Sequence, residues 1–301
     1  MTFLKLSLEV RTALDAGRPV VALESTVIAH GLPRPLNLEI ARRLEEIIRA
    51  EGATPATIAI LGGEFCVGLD DSELEHIADS GDVKKISRRD LALAVARRWD
   101  GATTVASTIW IAERAHLNVF ATGGIGGVHR GTLPDVSADL PELARAARLV
   151  VVCSGAKSVL DLPATREWLE TYGVTVVGYA CDELPAFYTR ASGLSVDARA
   201  DTPQDVAAIA RAQFALEKDG ALLVCVPVPA ESEVSADLLD ATLQAALDEA
   251  VRERVAGREL TPFLLSRMAR ASDGATLRAN IALLEQNARV AAQIAKAISG
   301  Q

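Results

Sequence analysis

The chain has 301 residues, 50% of them hydrophobic and 24% charged, with a formal net charge of −9. This is enough apolar material for a sizeable core, and the acidic balance excludes the basic face that nucleic acid or an anionic membrane requires. A local cationic pocket for a small anion stays open.

The first strand is predicted at 19–23 (PVVAL), followed by an amphipathic helix at 36–52 (LNLEIARRLEEIIRAEG) that ends on a glycine. A second strand falls at 57–61 (TIAIL), and 101–116 (GATTVASTIWIAERAH) reads as a helix with Thr103 and Thr104 at its capped start. Further strands are predicted at 118–122 (NVFAT), 149–153 (LVVVC), 175–179 (TVVGY) and 221–226 (ALLVCV). Each is short and continuously apolar rather than alternating, the pattern of strands buried on both faces. After Pro229 the pattern is nearly all helical, and in 277–298 one face holds Leu277, Ile281, Leu284, Ala288, Ala291 and Ile294. Strand–helix alternation implies an α/β fold with a largely parallel sheet, helices on both sides and added C-terminal helices. No low-complexity linker or internal repeat divides it, so residues 1–301 are expected to form a single domain.

The cysteines Cys66, Cys153, Cys181 and Cys225 contain no CxxC pair, and three lie in apolar stretches, as expected of reduced thiols in a cytosolic protein. The N-terminal MTFLKLSLEV lacks a signal-peptide core, and no apolar run reaches the roughly 20 residues of a membrane helix. A cytoplasmic protein without membrane contact is the expectation.

In open α/β sheets ligands bind beyond the carboxyl ends of the strands. Those ends here run into Glu24-Ser25-Thr26, Gly62-Gly63, GGIGGVHRG (123–131) and Ser154-Gly155-Ala156-Lys157. The glycine loop suits an anion-cradling nest or a plain mobile turn and does not fit the dinucleotide fingerprint, and CSGAKS is not a Walker loop because Ala156 precedes its lysine. The helix start around Thr104 and Val105 is a second anion candidate, or a simple N-cap. Lys85 or Arg88, in VKKISRRDL, could neutralise a phosphate, or belong to a solvated charge run. Lys157 has three readings: a surface lysine on the helix after its strand, a phosphate ligand, or a nucleophile whose amine is freed by lost hydration. In DVSAD, Asp135 and Asp139 with Ser137 between them suit a hard cation or sugar hydroxyls, and Ser137 or Asp139 equally suits a helix cap.

Taken together, ALESTVIAHGLPRPLN, ATIAILGGEFCVGL, KKISRRDL, GATTVAST, FATGGIGGVHRG, DVSADL, CSGAKSVLDLPATREWLET and LRANIALLEQNA resemble, in order and content, the pseudouridine-5′-phosphate glycosidases, also called the indigoidine synthase A-like family. The resemblance runs from about Pro19 to the last helix. It implies a three-layer α/β/α sandwich with a largely parallel or mixed sheet, a homotrimer, and one manganese ion per subunit. The implied reaction is reversible cleavage of the C–C glycosidic bond of pseudouridine 5′-phosphate to uracil and ribose 5-phosphate. By the same resemblance Lys157 is the nucleophile, Glu24 the proton donor and Asp135 the metal site. Ser137, Ala138 and Asp139 line the substrate, Lys85 and Val105 contact it, and His129 and Asn280 match further pocket positions. In that chemistry the opened ribose becomes an iminium with Lys157, and a proton delivered to the base carbon permits scission. The alternatives are a Schiff-base lyase acting on another phosphosugar and a non-catalytic sugar-phosphate binding protein.

Overall fold

The computed structural model describes residues 3–130, 135–255, 257 and 260–300. In chain order it begins with β1 (Leu4–Leu6), α1 (Leu8–Asp15), β2 (Val20–Leu23), a π-helical turn (Val27–Gly31) and α2 (Leu36–Ala50). Next come β3 (Thr54–Leu61), β4 (Glu64–Val67), α3 (Asp71–Asp79), β5 (Lys84–Ile86), α4 (Leu91–Arg97), β6 (Gly101–Thr103) and α5 (Val105–Arg114). The middle of the chain forms β7 (Val119–Ala121), β8 (Val128–His129), α6 (Asp139–Arg145), β9 (Val150–Cys153), β10 (Leu160–Asp161), α7 (Leu162–Thr171) and β11 (Thr175–Tyr179). It closes with β12 (Ala198–Ala200), α8 (Pro203–Ala215), β13 (Leu222–Cys225), α9 (Ala236–Glu253), α10 (Leu260–Ala271) and α11 (Ala275–Ser299).

The six predicted strands are β2, β3, β7, β9, β11 and β13, and they are neighbours. They lie in the order β3-β2-β7-β9-β13-β11, every pair parallel. Their apolar runs are explained by this position, since β2, β9 and β13 are buried at every residue. The sheet is mixed because of β3. Its first half pairs with β2, and its second half pairs antiparallel with β4 and β6. β1 and β5 then join β4 and β6 in parallel, and β12 extends the opposite edge beyond β11. Two sets of mutually packed helices rest on the sheet, α2–α11–α8 and α5–α6–α7.

Three local expectations change. Thr103 ends β6 inside the core, and Thr104 alone is the N-cap of α5. The cap residue of α6 is Ala138, without a side-chain cap; Ser137 Oγ accepts from Asp139 N at the helix start, and the Asp139 carboxylate turns elsewhere. Lys157 stands in a turn before β10 rather than on a helix.

Candidate functional site

Glu24 and Thr122 are the residues immediately beyond two paired strands. Leu23 of β2 is in register with Ala121 of β7, so the next residue of each stands beside the other. The Thr122 hydroxyl donates to Glu24 Oε1 at 2.6 Å. Glu24 is only 8% exposed. Burial pushes its carboxyl above the ordinary value; Lys157, the Thr122 hydroxyl and Lys85 oppose that rise, and the Asp139 charge adds to it. Lys157, Lys85 and Asp139 therefore lie within electrostatic reach of one buried acid.

Lys157 is brought there by the turn after β9. Gly155 has φ +81°, and a Cβ on it would fall 2.0 Å from the Pro185 carbonyl oxygen, so the turn admits only glycine. Beyond it the glycine loop and the lysine turn knit together. Ile125 N donates to Gly155 O and Lys157 N donates to Ile125 O, each at 3.1 Å. Lys157 O then accepts from Leu160 N at 3.0 Å. Leu160 is in register with His129, and His129 N donates to Asp135 O at 2.8 Å. Backbone bonds thus draw His129 and Asp135 to the turn carrying the half-buried Lys157. Gly131, at the end of the glycine loop, lies outside the described residues.

Asp139 has a different task from helix capping. Its Oδ1 accepts from Ala106 N at 2.9 Å and its Oδ2 from Gly126 N at 2.8 Å, while its own N donates to Ser137 Oγ at 3.3 Å. The carboxylate ties the first turn of α5 to the glycine loop. Gly126 permits this approach, because a Cβ there would lie 2.2 Å from Ser137 Oγ. Thr104 Oγ1 accepts from Ser107 N at 3.5 Å, so the N–H groups of Ala106 and Ser107 already have acceptors. The anion-binding reading of that helix start is narrowed to the end residue Val105, which is buried. Ala138 is exposed beside it.

Lys85 sits on β5 opposite Ala102 of β6, and Thr104 N donates to Ile86 O at 3.1 Å, which brings Lys85 to the α5 end of the site. Arg88 points away: it meets Glu142 at 3.4 Å and lies over the Trp110 ring. Of the two cationic candidates in that charge run, Lys85 is the one among the charges acting on Glu24.

Helix α11 closes the far side with two asparagines seven residues apart. Asn280 is buried and lines a cavity of about 400 Å³ together with His30, Tyr188 and Thr276. Asn287, which sequence reasoning passed over, donates from Nδ2 to Thr122 O at 2.9 Å and to Gly123 O at 3.3 Å, and also contacts Ser154 Oγ. Thr122 was passed over too. The available signals were two asparagines on the apolar face of a long helix, and a threonine ending the strand beside Glu24. Among the described residues no three His, Cys, Asp or Glu side chains form a metal-sized group. The exposed Asp135 carboxylate can supply one oxygen ligand, which suits a hard cation that keeps most of its water.

A mixed, mostly parallel sheet that gathers a lysine, a buried acid and a glycine loop at its strand ends has the layout of a small-molecule site in an α/β protein. The chain belongs to the family described as indigoidine synthase A like protein, which it matches over residues 9–297. It is 51% identical to a pseudouridine-5′-phosphate glycosidase of Solibacter usitatus over 97% of this chain and 98% of that one. It is 52% identical to the protein of the same name from Herpetosiphon aurantiacus, over 99% of each. The structure of the prealnumycin C-glycosynthase AlnA, solved with ribulose 5-phosphate, superposes with a TM-score of 0.91 at 41% identity, over 100% of this chain and 98% of that one. An indigoidine synthase A-like protein from Thermotoga maritima superposes with a TM-score of 0.89 at 39% identity, over 97% and 95%.

Proposed function

We propose that this chain is a C-glycosidase that cleaves pseudouridine 5′-phosphate reversibly to uracil and ribose 5-phosphate, with Lys157 as nucleophile and Glu24 as proton donor. The observation that carries the reading is the pairing of these two side chains across strand ends: a half-buried amine within electrostatic reach of a buried carboxyl raised by desolvation. A carboxylic acid so raised holds a proton closer to neutrality and can deliver it.

Lys157 Nζ bonds to C1′ as the C1′–O4′ bond breaks, and the amine proton ends on the O4′ hydroxyl. Glu24 gives a proton to the base carbon attached to C1′. The C1′–C bond then breaks, its electrons restoring the uracil ring while the nitrogen lone pair forms a C=N bond to C1′. Water hydrolyses that iminium, returning the amine, ribose 5-phosphate and one proton, which balances the proton Glu24 gave. The two carboxylates of ordinary glycosidases are not required, because the sugar cation is held as an iminium.

The surrounding residues have positioning roles in this scheme. Lys85 with the Thr104–Val105 helix start takes the phosphate, whose remote binding energy aligns C1′. Ser137, Ala138, His129 and Asn280 line the sugar and base, and Asp139 holds the glycine loop against α5. Asp135 would hold manganese, which when bound would supply positive charge to the site. A homotrimeric assembly and residence in the cytoplasm belong to the same proposal. In support of the latter, the four cysteines are free, and no helix among the described residues is long and apolar enough to cross a membrane.

The test is uracil release from pseudouridine 5′-phosphate, with uridine 5′-phosphate as control. Release from the C-glycoside alone is expected; release from neither, or only from the N-glycoside, rejects the assignment.

A further inference from the structure

A second buried acid, on the helix that walls a small cavity shared with Glu24, has no part in that scheme. Glu45 on α2 is 7% exposed, and Thr57 on β3 is 1% exposed. The Thr57 hydroxyl donates to Glu45 Oε1 at 2.6 Å. Thr57 and Glu24 both line one small cavity of about 10 Å³, whose other walls include Ala41, Leu44 and Leu284. Such a volume is about that of one water probe, and Glu24, Thr57 and Thr122 are the polar residues among its mostly apolar walls. On its far side Glu45 Oε2 meets Arg49 at 3.3 Å, and Arg49 in turn pairs with the exposed Glu9 at 3.1 Å.

We propose that Glu45, Thr57 and one water in this cavity form a proton relay that recharges Glu24 from the protein surface while substrate covers the front of the site. This rests on the reading of Glu24 as proton donor. In each turnover Glu24 loses one proton to the base carbon and must regain one before the next scission. Once the Thr57 hydroxyl has turned from Glu45 to the water, Glu45–COOH gives its proton to Thr57 Oγ, Thr57 gives its own to the water, and the water gives one to the Glu24 carboxylate. Glu45 is left as the carboxylate and is reprotonated from solvent beside Arg49 and Glu9. No proton is gained or lost along the chain.

The charges around each end agree with this use. Burial raises the Glu45 carboxyl; Thr57 and Arg49 oppose the rise and Glu9 adds to it. Of the other charged side chains on α2, Glu39 and Glu46 are exposed, Arg42 pairs with Asp71 and Glu75 of α3, and Arg43 with Glu285 of α11. Glu51, just past the helix, meets Arg289 of α11. At the other end Glu24 faces Lys157, Lys85 and Asp139. Two acids shifted the same way, joined by a hydroxyl and a one-water cavity, are matched for proton exchange.

A merely structural Glu45, pinning α2 to β3, makes different predictions. In Thr57→Val and Glu45→Gln the relay predicts kcat for pseudouridine 5′-phosphate about tenfold lower with KM unchanged, and a displaced kcat–pH profile. Thr57→Ser should restore both, and the double variant should be no slower than either single one. Parent kcat and an unmoved profile in folded Thr57→Val, or losses that multiply in the double variant, overturn the relay. Carbon-13 NMR of carboxyl-labelled glutamate gives a reading independent of turnover. Glu24 and Glu45 should titrate as a coupled pair in the parent and separately in Thr57→Val. Independent titrations in the parent overturn the relay whatever the substrate, even if a variant fails to fold. A parent inactive on pseudouridine 5′-phosphate counts against the proposed function instead, and the NMR experiment then decides the relay alone.

Discussion

Glu24→Gln should make the protein inactive and, at neutral pH, more stable. Glutamine keeps an amide oxygen for the Thr122 hydroxyl and removes the ionisable proton. Burial is the largest influence on the Glu24 carboxyl and outweighs the two lysines and the Thr122 bond, so the group titrates higher in the folded chain than in the unfolded one. The stability it contributes is therefore full below the unfolded value and is lost as pH rises through the folded value. Above that window the parent carries the cost of a buried carboxylate that glutamine does not. The gain should be about 0.5–2 kcal/mol near neutrality, typical of relieving a destabilised functional group. That is a few degrees in Tm for a chain of this size. It should shrink towards zero as the pH approaches about 4, where the ordinary carboxyl is protonated in both states. Turnover should fall by about 10²–10⁴, the usual worth of a general acid. Thermal melts across this pH range, with uracil release measured on the same samples, test both halves. Destabilisation of equal size at every pH, or turnover within about tenfold of the parent, would refute the reasoning.

Asn287→Leu deprives the Thr122 and Gly123 carbonyls of their side-chain donor. A loss of about 1–3 kcal/mol in urea unfolding is expected, the cost of one orphaned buried group, since Gly123 O still accepts from Ser154 N while Thr122 O does not regain a donor; turnover should also fall because the Glu24 partner is loosened. Gly155→Ala meets both a left-handed φ and the Pro185 carbonyl. It should cost more than about 2 kcal/mol and lower Tm by several degrees, whereas Gly193→Ala, at an open position of similar φ, should cost less. Asp135→Ala should leave weak activity that no longer responds to manganese; a parent-like manganese response removes Asp135 from the metal site. Asp139→Asn sets an amide nitrogen against one of the two backbone donors, Ala106 N or Gly126 N. Its cost should be about 1–3 kcal/mol in urea unfolding, and unchanged stability would show that the tie between α5 and the loop is dispensable.

The six central strands were legible because burial on both faces leaves no room for polar alternation. Val150–Cys153 and Leu222–Cys225 could be nothing else. The edge strands were not legible: Leu4–Leu6, Lys84–Ile86 and Ala198–Ala200 are three residues each and carry a charge, so neither length nor period marks them. The reversal of direction at β3 left no mark either, since one apolar run serves parallel and antiparallel partners alike. At the site, Glu24 and Lys157 could be picked out because strand ends are where α/β chains place chemistry. The work of Asp139 could not, since its acceptors serve backbone N–H groups 33 and 13 residues away. Local spacing suggested a cap, and the tertiary fold used the same carboxylate to fasten two loops together. Thr57 and Glu45 were hidden for the same reason, twelve residues apart on a strand and a helix.

The central claim is that the Lys157 amine bonds to the sugar carbon. The direct measurement is borohydride reduction of the protein incubated with ribose 5-phosphate, followed by peptide mass spectrometry. One reduced pentose phosphate on Lys157, absent from Lys157→Ala, is the predicted result. An adduct on another side chain, or none on a folded protein that releases uracil, would contradict it.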